Sequence, residues 1–146
     1  MNRLGTIDKV LHLKERRREE IELEVRNLRD TVAVQEMRLG SLEGAYMDTI
    51  QAFHRKQSDG SLAPQEMGVY YSYLYHLQKE MDARKAEIAR SLAALDAKHG
   101  ALVEAHKETR VVESLKDRRT REHAKEERRQ ARKEMDSISI ASRENR

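Results

Sequence analysis

Cysteine and tryptophan are absent from these 146 residues, phenylalanine and proline occur once each, and glycine occurs six times. Without cysteine there is no disulfide framework, no thiolate zinc site and no thiol nucleophile, which agrees with a reducing compartment. Aromatic residues make up 4%, and charged residues equal hydrophobic ones at 38% each. With a mean hydropathy of -0.91, such a chain cannot fill a thick globular core. No uncharged apolar stretch approaches the length of a membrane span, so no direct membrane insertion is expected. The start, MNRLGTIDKVLHLKERRREEIE, has neither an unbroken apolar segment nor a small-residue cleavage site, and a cytoplasmic protein is expected.

Chemistry-bearing patterns are missing too. His12, His54, His76, His99, His106 and His123 never fall three or four residues apart, and neither H-E-x-x-H nor a phosphate-binding G-x-x-x-x-G-K-[ST] occurs. No catalytic residue, cofactor or metal is therefore expected, and the protein is read as a non-enzyme.

What the sequence does have is helix formers in periodic order. Steps of three and four from Leu4 give one row, Leu4, Leu11, Arg18, Val25, Val32, Leu39, Tyr46 and Phe53. The companion row is Ile7, Lys14, Ile21, Leu28, Gln35, Leu42 and Thr49, and eleven of the fifteen positions are apolar. That is a coiled-coil seam. After QSDGSLAP, where Asp59-Gly60 supplies a turn and Pro64 suits a first helical turn, Met67, Leu74, Met81, Ile88, Leu95 and Leu102 follow at sevens. Tyr70, Leu77, Leu92, Ala105, Val112 and Leu115 flank them.

So short a break folds the second helix back on the first. The expected fold is all-α: a single coiled-coil domain over 1–146, with two long helices in an antiparallel hairpin and the second overhanging the first. Helix 1 should cover about 4–56, the turn 57–63, helix 2 about 64–136, and a disordered tail 137–146. Facing residues should have numbers summing to about 120, which sets Phe53 against Met67, Tyr46 against Leu74, Leu39 against Met81 and Leu4 near Lys116. At 1.5 Å per residue the arms would reach roughly 80 and 100 Å, an extended rod.

Two surface features stand out. VYYSYLYHL, residues 69–77, holds four of the five tyrosines. Not all can face one seam, so they read either as a wide hairpin tip or as a partner-binding surface centred on Tyr73 and Leu77. Residues 116–133 carry nine Lys or Arg against four Asp or Glu, a local excess of five. On the expected register they lie beside Arg16, Arg17 and Arg18, which favours one basic tip for an acidic protein partner. Interleaved acids and missing aromatics argue against nucleic acid. Gly40 and Gly44 form G-x-x-x-G in too polar a setting for membrane pairing, leaving either simple helix weakening or close approach by a partner.

IDKVLHLKERRREEIELEV, RLGSLEGAY and YYSYLYHLQKEMDARKAEI followed by an arginine-rich tail resemble the flagellar FliJ family, coiled-coil components of the flagellar type III protein export apparatus. The likeness covers nearly the whole chain. It implies a protein of flagellum biogenesis and motility, in the cytoplasm and peripherally associated with the inner membrane at the flagellar base. It further implies that a hexameric export ATPase and the cytoplasmic linker of the export-gate membrane protein are partners, with export chaperones as additional ones and a monomer when free. Carried over by position, the export-gate patch comprises Arg38, Leu42, Tyr46, Tyr70, Tyr73 and Leu77. The central-stalk-like ATPase-ring end comprises Lys9, Leu11, Lys14, Arg16, Arg17, Arg18, Arg118, Arg119 and Arg121. Ala45, Thr49, Glu80 and Arg84 depart from the family's residue types. Alternatives at this point are the equivalent stalk protein of a virulence secretion system and a generic structural coiled coil.

Overall fold

The computed structural model describes residues 3–145. Two helices account for nearly all of them, α1 (Arg3–Ser58) and α2 (Pro64–Glu144), with no strand among the described residues.

The break between them is built by local chemistry. Gly60 takes the left-handed conformation at φ 68°, which side chains disfavour. That lets its N–H donate to Gln57 O (3.3 Å) and the Ser61 N–H to Lys56 O (3.2 Å), the paired bonds of a Schellman cap. Pro64 then opens α2, where a missing N–H costs nothing, and the Met67 N–H donates to Ala63 O at 3.1 Å. Lys56 in the last turn of α1 bonds Glu66 in the first turn of α2 at 2.9 Å. Each charge also complements the dipole of its own helix end.

The chain divides into two compact units, one spanning Glu22–Gly100 and the other combining Met1–Ile21 with Ala101–Arg146. The first is the turn unit. Its arms pack antiparallel around Val25, Val32, Phe53, Leu77 and Met81, all buried. Burying a side chain of this kind contributes about 1.5–3 kcal/mol. The second is the terminal unit, where Leu11, Ile21 and Ala105 are buried beside Thr109, whose exposure is 0%. Thr109 is polar yet satisfied, because its hydroxyl donates to Ala105 O at 2.8 Å.

Every one of the fifteen seam positions expected on α1 is buried or half-buried. On α2 the seam rows are Met67–Leu102 at sevens, continued by Thr109 and Lys116, and Tyr70, Leu77, Arg84, Ser91, Lys98, Ala105, Val112 and Arg119. Leu92 and Leu115 lie outside them, 46% and 41% exposed. Both fall one position off a row, so the helical turn carries them outward.

The register differs slightly from expectation. Lys14 bonds Glu108 at 2.9 Å, Lys98 pairs with Glu24, and Lys116 pairs with Asp8 at 2.7 Å. Facing numbers therefore sum to 122–124 in these pairs. Phe53 likewise meets Tyr70, a pair summing to 123. The cause is the turn: α1 runs to Ser58 rather than 56, so the midpoint moves toward residue 61.

In the terminal unit α2 continues past Arg119 almost wholly exposed, as an overhang. The sequence predicts an end near 136 and a disordered tail over 137–146; the helix instead runs to Glu144, with Arg146 outside the described residues. No glycine or proline follows Met135, and extending an existing helix is far cheaper than starting one.

Candidate functional site

The tyrosine segment begins the second helix, and helical geometry splits its rings three ways. Tyr70 is in the seam, half-buried, with its ring edge-on to Phe53 at 5.5 Å. Tyr73 and Val69, one turn apart, project to one flank and are 47% and 70% exposed. Tyr71 and Tyr75 project to the other; Tyr71 still touches Phe53 at 5.7 Å, and the Lys79 ammonium lies 4.8 Å from the Tyr75 ring.

The Tyr73 flank carries two consecutive shallow grooves between the arms. Asp48, Thr49 and Ala52 of α1 with Val69, Tyr70 and Tyr73 of α2 line the first. Arg38, Ser41 and Leu42 with Glu80 and Arg84 line the second. Both lie on one side of the turn unit, because Arg38, Ser41, Asp48 and Ala52 share a flank of α1, and Val69, Tyr73 and Glu80 share one of α2. The first groove is walled by apolar atoms and phenol rings. The second is charged at its rim, where Arg84 pairs with Glu87 (3.1 Å) and Glu80 with His76 (3.3 Å).

Of the residues carried over by resemblance, Arg38, Leu42, Tyr70 and Tyr73 line these grooves. Tyr46 is half-buried in the seam. Leu77 is a correction: expected with Tyr73 at the centre of an exposed surface, it is only 4% exposed. The step of four residues puts Tyr73 and Leu77 near each other along the helix but not equally far from the seam, and Leu77 falls on the row that faces α1. Three of the four positions that depart from the family pattern, Thr49, Glu80 and Arg84, wall the same grooves, and the Thr49 hydroxyl donates to Ala45 O at 2.7 Å.

In the terminal unit the expected ring-binding residues also separate by environment. Lys9, Arg16, Arg17, Arg118 and Arg121 are exposed, whereas Arg18 and Arg119 are half-buried at seam positions. Arg17 pairs with Glu20 at 3.7 Å and Arg118 with Glu122 at 3.5 Å, and Arg121 Nε donates to Asp117 O at 3.4 Å. Leu11 is buried in the seam, as its heptad position requires, and Lys14 is engaged by Glu108. The Asp8 carboxylate raises the Lys116 pKa above its ordinary value, first through their hydrogen bond and then through its charge. Among the described residues no group of His, Cys, Asp and Glu is arranged to hold a metal ion.

Tyr71 and Tyr75 point away from Tyr70 and Tyr73, as helical spacing predicts. Sequence reasoning missed a set of four basic residues on the overhang, Lys125, Arg128, Arg129 and Arg132, which line a common depression and were hidden inside a longer mixed charge run.

Two heptad-seamed helices with surface grooves and a basic terminal unit define a coiled-coil protein that works through its surfaces. Residues 3–146 match the family model described as Flagellar FliJ protein, and the chain belongs to that family, the coiled-coil components of the flagellar export apparatus. No curated protein and no solved structure gives a significant match. Among the described residues no helix is long and apolar enough to cross a membrane.

Proposed function

We propose that the protein is a non-enzymatic, stalk-like linker of flagellar protein export, binding the cytoplasmic linker of the export-gate membrane protein through the Tyr73 flank and the hexameric export ATPase through the basic terminal unit. One observation carries this reading. Arg38 and Leu42, brought forward by family resemblance, and Tyr70 and Tyr73, brought forward also by the tyrosine cluster, line consecutive grooves on one flank of a single unit. Exposed phenol rings beside an apolar groove are typical anchors for a partner chain. Exposed arginines in the terminal unit supply an electrostatic contact whose strength falls with salt. The protein then resides in the cytoplasm, held at the inner membrane by its partners, where it assists export and chaperone recycling.

The test is a pull-down with the purified gate linker and the purified ATPase. Tyr73→Ala should abolish gate-linker capture with helicity unchanged, and Arg118→Glu with Arg121→Glu should weaken ATPase capture alone. Full gate capture by the Tyr73 variant sinks the groove assignment; full ATPase capture by the arginine variant sinks the stalk assignment.

A further inference from the structure

The overhang of α2 displays two adjacent stripes that the proposed function does not use. On a helical projection, Lys125, Arg128, Arg129 and Arg132, beyond the Arg118 and Arg121 of the proposed ATPase contact, fall within an arc of about 100°, extending roughly 10 Å along the axis. Glu122, Glu126 and Glu127 fall outside that arc. Lys125, Arg128, Arg129 and Arg132 are exposed, share one depression and have no ion-pair partner among the described residues. Four neighbouring exposed cations repel one another, and an anionic ligand placed over them relieves that repulsion.

Beside this arc runs a narrow row of small and apolar residues, Ala124, Ala131 and Ile138 at seven-residue steps, with Met135 on its edge. Met135 and Ile138 are 71% and 68% exposed and line a second depression with Ser139, Ser142 and Arg143. The row does not continue the hairpin seam. That seam would pass through His123, Gln130 and Ser137, one position earlier. Among the described residues no other segment extends the coil along the overhang.

The geometry points to a docking surface here for an amphipathic, carboxylate-flanked helix of a partner protein. Seven-residue spacing with alanines at the row's centre admits a second helix at close range. The one-sided cations select a partner whose acidic flank falls opposite Lys125, Arg128 and Arg132. An anionic membrane fits less well, because the far side of the apolar row carries Glu127 and Glu134, which would be driven toward the lipid headgroups. Duplex nucleic acid would use the cations but leave the Ala–Ile row unused.

The test uses the full chain and a synthetic helical peptide with leucines at seven- and four-residue steps flanked by glutamates, followed by fluorescence anisotropy. The control peptide has the same leucines flanked by lysines. The glutamate peptide should bind and the lysine peptide should not. Reversing the four cations with Lys125→Glu, Arg128→Glu, Arg129→Glu and Arg132→Glu should weaken binding by about tenfold or more. Met135→Ser with Ile138→Ser should weaken it at unchanged charge; all these residues are exposed, so the hairpin remains intact by circular dichroism. Equal binding of both peptides, no binding, or tighter binding to phosphatidylglycerol vesicles or duplex DNA than to the glutamate peptide overturns the proposal. Because no export ATPase or gate protein is present, failure here leaves the proposed function standing.

Discussion

The Phe53 ring meets Tyr70 edge-on, with centroids 5.5 Å apart at 69°, one residue from each helix just before and after the turn. Phe53 is buried and also contacts Tyr71 and His54, so a single side chain ties the hairpin tip together. Phe53→Ala should destabilise the protein by about 3 kcal/mol, and Phe53→Leu by much less, read by chemical denaturation. An alanine variant as stable as the parent would show that the tip is held elsewhere.

Leu77 and Tyr73 make a matched pair for separating packing from recognition. Leu77→Ala removes a buried seam residue and should cost about 2–4 kcal/mol. Tyr73→Ala, on the exposed flank, should leave the melting temperature within a degree or two of the parent, in keeping with the small cost of most surface changes. Similar melting curves for the two variants would contradict their assignment to different environments.

Gln35 occupies a seam position, and its side-chain oxygen is buried without a hydrogen-bond partner. Leaving such a group unsatisfied costs about 1–3 kcal/mol. Gln35→Leu should therefore stabilise the hairpin by about 1 kcal/mol, seen as a higher denaturation midpoint with unchanged slope. A loss of stability would mean that the amide holds a role in the seam that apolar packing cannot replace.

Lys56 and Lys116 both have pKa values raised above the usual 10.5, Lys56 by its hydrogen bond to Glu66 and then by the charges of Glu66 and Tyr70, Lys116 by Asp8. A raised folded-state value means that these pairs contribute fully below 10.5, and that the contribution is lost as pH rises through the folded values. Melting temperature followed from neutral to strongly alkaline pH should fall less steeply in a Lys56→Met, Lys116→Met variant than in the parent. Parallel curves would show that neither pair is coupled to folding.

Much of the fold was legible because the heptad rows are long. All fifteen α1 positions could be named from spacing alone, including the polar Arg18, Lys14, Gln35 and Thr49, since position on a helix decides which way a residue points. The register was off by two to four because it depends on where α1 ends, and Gly60 could be placed as a turn residue without showing that Gln57 and Ser58 are still helical. The site was less legible. Leu77 lies on a heptad row yet was set with Tyr73 at the centre of a surface, because a four-residue step keeps two residues close without making them equally exposed, and the overhang's helicity was hidden because the last ten residues carry no helical period.

The cations set into the α2 seam have a further consequence. Lys98 is matched to Glu24, and sliding one arm past the other by one heptad would bring it opposite Arg17 or Thr31 instead. Leucines and valines tolerate such slippage, since one greasy layer resembles the next. The lysine does not, so it biases two nearly repetitive helices toward the alignment that the turn sets, by about 1 kcal/mol or less for so exposed a pair.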